Sequence, residues 1–124
     1  MGAPMAGHLL RAGHSVRVHS RTPAKVAPLL AAGAQWADSP AAAAEDADVA
    51  FAMVAFPKDV EEVFLGARGL LAAGRLPRVV VDMGTSPPAL ARRIAEVAAL
   101  KGVGALDAPV SGGDVGARNA TLSI

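Results

Sequence analysis

Cysteine is absent from the 124-residue sequence, and aromatic residues make up only 3% of it. The absence of cysteine excludes disulfide bonds, zinc–thiolate sites and thiol catalysis. No apolar run approaches the roughly 20 residues that a membrane span requires, and the first residues lack the order of a secretory signal. The sequence therefore predicts a cytoplasmic protein with no membrane partner.

Charge of either sign is sparse and balanced. The 12 basic and 11 acidic residues give a formal net charge of +1 and are scattered along the chain. This distribution argues against a basic patch, so we expect no nucleic-acid partner. In contrast, 52% of the residues are hydrophobic, which is enough to form a core. Length and composition together indicate one globular domain, or part of one, over residues 1–124.

Strand-like and helix-like segments alternate along the chain. Short apolar strands are predicted at residues 15–19, 34–37, 49–54, 79–81 and 105–107, with helical patterns between them. Thr22, Ser39 and Ser86 each precede a proline and are predicted to be helix N-caps. Apolar strands that alternate with amphipathic helices form a parallel sheet with helices on both faces. Because crossovers are right-handed, the predicted fold class is α/β with a doubly wound sheet.

The carboxyl ends of the strands are where such a sheet binds its ligands. The first of these segments is Ser20-Arg21-Thr22, with Lys25 one helical turn later. Sites that prefer NAD usually place a carboxylate there for the ribose 2′-hydroxyl, and this segment has none. An arginine can instead bind a 2′-phosphate through two parallel hydrogen bonds. A solvated arginine beside an N-cap threonine explains the same residues, and the spacing alone leaves both interpretations open.

Two later segments also follow predicted strands. In Asp82-Met83-Gly84-Thr85-Ser86-Pro87, an N-cap role for Ser86 leaves the Thr85 hydroxyl without a structural function. Ser111-Gly112-Gly113 offers backbone N–H groups and a hydroxyl suited to an anion such as a carboxylate. A plain glycine loop is the alternative there. The three histidines have no metal-ligand spacing, so we expect no metal site.

The segments that carry a resemblance, in this order, are Met1–Ala6, Ala12–Val18 followed by Ser20-Arg21-Thr22 with Lys25, Val81–Pro87 and Asp107–Gly113. With them the chain resembles the β-hydroxyacid dehydrogenases, the group that includes 3-hydroxyisobutyrate dehydrogenase and tartronate semialdehyde reductase. The resemblance covers essentially the whole chain. It implies a Rossmann-type dinucleotide-binding domain with NADP, rather than NAD, as the cofactor. The chain departs from the family's usual residues at Ser20, Ala55, Gly84 and Ala120.

The resemblance also implies functional residues, position by position. Gly2 matches the last glycine of the turn that brings the backbone to the cofactor pyrophosphate. The implied cofactor contacts are Met1, Gly2, Ser20, Arg21, Thr22, Lys25, Val54, Ala55, Asp59 and Thr85. The implied contacts to a small carboxylate substrate are Ser111, Gly112 and Gly113. No residue of this chain matches the family's catalytic lysine.

The implied reaction is hydride transfer between NADP and a small 3-hydroxyacid or its semialdehyde. The resemblance implies a homo-oligomer for the full-length enzyme. An imine reductase, or a catalytically silent cofactor-binding module, would share the same cofactor motifs. The Ser111–Gly113 segment favours a carboxylate substrate over these alternatives.

The resemblance further implies that both ends of the domain are incomplete. The chain begins inside the glycine-rich turn, so the first strand, the C-terminal end of the sheet and the helical catalytic domain are expected to be absent. In the usual strand order the missing strand is central, and its two neighbours would expose unpaired edges. We therefore expect the chain alone to be poorly stable and inactive.

Overall fold

A computed structural model describes all residues, 1–124, and contains six α-helices and five short strands. The helices are α1 (Gly2–Arg11), α2 (Ala27–Ala31), α3 (Pro40–Ala44), α4 (Pro57–Leu65), α5 (Pro88–Leu100) and α6 (Gly113–Asn119). The strands are β1 (Arg17–Val18), β2 (Gln35–Trp36), β3 (Val49–Ala52), β4 (Val79–Asp82) and β5 (Gly104–Asp107). Short 3₁₀ turns occupy Pro23–Val26 and Leu70–Ala72. None of the helices is long and apolar enough to cross a membrane.

All strand pairs are parallel, but the strands form two sheets. β1 pairs with β2, while β3, β4 and β5 pair side by side in that order. Ala52, Asp82 and Asp107 lie at the same level and end the three strands of the larger sheet. No strand joins β1 to β3, so each of these two strands keeps one unpaired edge. The predicted parallel α/β architecture is confirmed.

The main hydrophobic core lies on one face of the larger sheet, against α3, α4 and α5. Val80 in the central strand and Phe64 of α4 are 0% and 1% exposed. The buried members of this core are Ala44, Ala50, Ala52, Val60, Phe64, Leu70, Leu71, Val80, Ile94, Ala98 and Val103. On the opposite face, Phe51 and Leu106 are 52% and 58% exposed. Helices therefore cover the second face less completely than the sequence pattern indicates.

A smaller core lies beside the two-stranded sheet. Val18, Val26, Leu29 and Ala34 are its buried residues, and side chains from α1 pack against them. Arg17 connects this sheet to the rest of the molecule, because its guanidinium donates to the carbonyl oxygens of Ala42, at 3.3 Å, and of Glu45. These carbonyls belong to the last turn of α3 and its C-cap, where helix carbonyls lack intrahelical partners. The arginine thus caps a helix that belongs to the main core.

The N-cap predictions have mixed outcomes. Ser39 caps α3 as expected, since its Oγ accepts the backbone N–H of Ala42 at 3.0 Å. Thr22 stands at the N-cap position of the 3₁₀ turn, but its side chain makes no capping bond. Instead, Ser20 Oγ accepts the backbone N–H of Thr22 at 3.2 Å. The local turn within Ser20–Thr22 leaves the Thr22 hydroxyl available for another partner.

The predicted N-cap role of Ser86 is wrong. The N-cap residue of α5 is Pro87, and no side chain caps this helix. The Ser86 hydroxyl donates instead to Asp82 Oδ2 at 2.5 Å. Because α5 begins at Pro88, Ser86 lies one residue outside the N-cap position. Its hydroxyl forms a charge-assisted hydrogen bond with the buried carboxylate instead.

The location of the core leads to a prediction about two phenylalanines, one in the last turn of α4 and one at its N-cap. Replacing Phe64 by alanine removes a ring that is 1% exposed, and we expect the free energy of unfolding to fall by about 3–5 kcal/mol. Phe56 is 67% exposed, so Phe56→Ala serves as the control and should change it by no more than about 0.5 kcal/mol. Urea denaturation followed by circular dichroism measures both, and equal losses would contradict this assignment of the core.

Candidate functional site

The residues that the sequence singled out gather around the carboxyl ends of β1, β3, β4 and β5 and at the start of α1. None of them is buried. They are Met1, Gly2, Ser20, Arg21, Thr22, Lys25, Val54, Ala55, Asp59, Thr85, Ser111, Gly112 and Gly113. These positions keep exposed or half-exposed surface where the parallel strands end. We call this region, at the carboxyl ends of the strands, the edge, and it is the candidate site.

A polar contact at this edge joins Arg21, after β1, to Asp59, in the first turn of α4. The two terminal nitrogens of Arg21 donate to the two carboxylate oxygens of Asp59 at 2.8 and 2.9 Å. The side chain of Arg21 is 74% exposed, whereas that of Asp59 is 15% exposed. Arg21 and Asp59, which were both predicted to contact the cofactor, therefore bind each other in one bidentate ion pair. The sequence did not indicate this pairing.

The segment after β4 is anchored by a buried carboxylate. Asp82 is 4% exposed, and its Oδ1 accepts the backbone N–H of Gly84 at 2.9 Å while its Oδ2 binds Ser86. A Cβ at Gly84 would lie 2.8 Å from the carbonyl oxygen of Val54, so only glycine fits between the loops after β3 and β4. Thr85 stands between the two anchored residues and is exposed. The structure therefore brings Val54 and Thr85 to neighbouring loops.

The start of α1 lies against the loop after β3. A Cβ at Gly2 would make an ordinary contact with Met53 at 3.4 Å, so the protein's own packing does not require glycine there. Farther along α1, His8 Nε2 lies 2.9 Å from the carbonyl oxygen of Ala117 in α6. Helix α1 thus connects the loop after β3 to the helix that follows the Ser111–Gly113 segment.

The Ser111–Gly113 segment offers fewer free donors than the sequence suggested. The backbone N–H of Ser111 donates to the carbonyl oxygen of Ser123 at 2.9 Å, and Ser123 returns the same bond. Gly112 and Gly113 have positive φ angles of 132° and 61°, which favour glycine. The Ser111 hydroxyl and the backbone N–H groups of Gly112 and Gly113 donate no hydrogen bond within the protein, so an incoming ligand can use them.

Lys25 lies apart from the Arg21–Asp59 pair. It lines a groove with Pro4 and Arg11 of α1, and neither Arg21 nor Asp59 lines that groove. Asp82 is the residue of this edge whose role sequence reasoning missed. An acidic residue at the end of an apolar strand, two positions before a glycine, was the available signal.

Comparison with known proteins identifies the family. The model of the NAD-binding domain of 6-phosphogluconate dehydrogenase matches residues 1–124. The chain belongs to this family. Its relatives include an uncharacterised oxidoreductase of Bacillus subtilis, 48% identical over 100% of this chain and 43% of the relative. The 3-hydroxyisobutyrate dehydrogenase of Pseudomonas aeruginosa is 47% identical over 99% of this chain and 41% of that protein.

Solved structures agree with this NAD-binding domain assignment. The structure of Psf3 in complex with NADP+ and 2-OPP superposes with a TM-score of 0.87 and 34% identity, covering 98% of this chain and 43% of that one. The predicted resemblance to 3-hydroxyisobutyrate dehydrogenases and related oxidoreductases is confirmed, as is the Rossmann-type fold. The chain spans about two fifths of the length of the relatives it matches.

Because Asp82 anchors the loop after β4 in this NAD-binding domain, we predict that replacing it lowers the free energy of unfolding. Asp82→Ala leaves the Gly84 N–H and the Ser86 hydroxyl without their buried acceptor, and we expect a loss of about 1–3 kcal/mol in unfolding free energy. Asp107→Ala is the matched control, because Asp107 ends the neighbouring strand at the same level and is exposed. Thermal and urea denaturation of both variants test this, and an Asp82→Ala protein as stable as the control would show that the carboxylate does not anchor the loop.

Proposed function

We propose that the chain is the NADP(H)-binding part of an oxidoreductase that transfers hydride between NADP and a small 3-hydroxyacid or its semialdehyde. The observation that supports NADP most is Arg21, whose side chain is 74% exposed at the carboxyl end of β1. Its neighbours Ser20 and Thr22 add hydroxyl groups. A planar guanidinium matches the geometry of a phosphate through two parallel hydrogen bonds.

The start of α1 suits the pyrophosphate of a dinucleotide. This helix has ten residues and no side-chain cap at its N-terminus, so its first backbone N–H groups lack protein partners. Such groups, together with the helix dipole, attract an anion. Gly2 leaves space there, since a side chain at this position would not meet crowded protein atoms. The residues present therefore fit a dinucleotide.

The loops after β3 and β4 suit the other end of the cofactor. When bound, the nicotinamide ring supplies the hydride chemistry. Val54 and Ala55 provide an apolar, partly exposed surface, and Thr85 presents a hydroxyl held in place by the Asp82 contacts on either side. We assign Thr85 to the nicotinamide and Ser111 to the carboxylate of a small substrate. We further propose that the whole enzyme is a cytoplasmic homo-oligomer.

The proton transfer at the substrate hydroxyl requires a group that this chain does not provide. The resemblance assigns it to a lysine on a later helix, and Lys25 lies on the α1 side of the site instead. The 124 residues supply binding and orientation, and we expect no turnover from them alone.

An imine reductase is the second candidate. The imine reductase of Myxococcus stipitatus, solved with NADP+, has a TM-score of 0.70 and 26% identity over 85% of this chain and 36% of that one. This similarity supports NADP as the cofactor of this chain as well. The hydroxyl of Ser111 favours a carboxylate substrate and so the 3-hydroxyacid reaction.

The role of Arg21 gives a direct test of the proposed cofactor. Arg21→Gln removes the charge that pairs with a 2′-phosphate, so we expect NADPH to bind about tenfold to a hundredfold more weakly. NADH lacks that phosphate, and its affinity should change little. Fluorescence titration of the 124-residue chain with each cofactor measures both dissociation constants.

Arg93→Gln is the matched control for this experiment. Arg93 is also exposed and paired with a carboxylate, Glu61, at 2.5 Å, but it lies on α5, away from the carboxyl end of β1. The control should bind both cofactors like the parent chain. Equal weakening of NADPH and NADH by Arg21→Gln would contradict the assignment of Arg21 to the 2′-phosphate.

A further inference from the structure

We propose that Asp59 determines cofactor specificity by limiting the preference for NADP over NAD, an inference that rests on the proposed function. The segment that follows β1 contains no acidic residue, but the bidentate pair with Arg21 places the carboxylate of Asp59 beside it. The sequence predicted NADP partly because no acidic residue follows β1. The fold supplies the acid from α4, 38 positions along the chain.

Asp59 occupies donors that a 2′-phosphate would use. A guanidinium has five N–H groups, and the contacts at 2.8 and 2.9 Å engage one on each terminal nitrogen of Arg21. A phosphate must either bind the remaining N–H groups beside the carboxylate or displace it. In both cases a dianion lies close to a second negative charge, which weakens its binding.

Asp59 is the fixed member of the pair. It lies in the first turn of α4, where the helix dipole stabilises a negative charge, and its side chain is 15% exposed. Arg21 is 74% exposed and is free to move toward a ligand. The carboxylate therefore stays at the site when Arg21 turns toward a phosphate.

The same carboxylate favours the other cofactor. NAD carries a 2′-hydroxyl, and a carboxylate can accept its hydrogen bond, as sites that prefer NAD usually arrange. Asp59 thus opposes NADP by repulsion and supports NAD by hydrogen bonding. The NAD-dependent L-serine dehydrogenase of Pseudomonas aeruginosa is 42% identical over 99% of this chain and 41% of that protein, so a relative of this similarity uses NAD.

The test compares Asp59→Asn with two other variants. Asp59→Asn removes the charge and keeps an oxygen acceptor, whereas Asp59→Glu keeps the charge. Glu61→Gln is the matched control, because it removes a negative charge from the same helix at a residue that pairs with Arg93. Fluorescence titrations with NADPH and NADH, at low and at physiological salt, give the ratio of the two dissociation constants. Circular dichroism confirms that each variant is folded.

We expect the preference of Asp59→Asn for NADPH over NADH to rise about threefold to tenfold at low salt, and by less at physiological salt. Glu61→Gln should leave the ratio of the two dissociation constants at the parent value, and Asp59→Glu should leave it close to that value. An unchanged or lower preference in Asp59→Asn would overturn the role of Asp59, even where Arg21→Gln still weakens NADPH and so upholds the proposed function. Failure of the parent chain and every variant to bind either cofactor, while circular dichroism shows them folded, would overturn both.

Discussion

Burial of the central strand β4 is the interaction on which the rest of the structure depends. Val80 is fully buried between two hydrogen-bonded neighbours and the helices α4 and α5. Apolar burial of this kind is the main source of stability in a domain. Because β3 and β5 pair with β4 in parallel register, all three strands end at the same level. The loops that follow them must emerge at one edge, and that edge holds the candidate site.

Two carboxylates at this edge act in opposite ways. Asp82 is buried, and its oxygens are engaged by Gly84 and Ser86, so its charge organises a loop and is not directed at a ligand. Asp59 remains at the surface and shares its charge with the exposed Arg21. The first stabilises the position of Thr85, whereas the second changes the electrostatic character of the neighbouring site. Both residues carry a carboxylate, so their different roles follow from how deeply each carboxylate is buried.

Local patterns predicted the elements, and long-range contacts decided the details. The alternation of apolar strands and amphipathic helices depends on near neighbours, so the strands and most helix starts were predictable from the sequence. The capture of Ser86 by Asp82 was not, because a serine before a proline fits a cap equally well. The bond between Ser111 and Ser123 requires a return of the chain. The Arg21–Asp59 pair joins a residue that follows the small sheet to a residue in α4, which follows a strand of the larger sheet. Only the folded arrangement shows that they meet.

The division into two sheets gives the candidate site a second physical role. Arg21 follows the small sheet, and Asp59 follows β3 of the larger one, so their ion pair bridges two cores that share no strand pairing. The hydrogen bonds from Arg17 to the end of α3 form a second bridge. A dinucleotide bound along this edge would contact both halves, from the end of β1 to Thr85. A ligand that binds one mutual arrangement of the halves stabilises that arrangement in proportion to its binding free energy. Cofactor binding along this edge would therefore be thermodynamically linked to the arrangement of the two sheets.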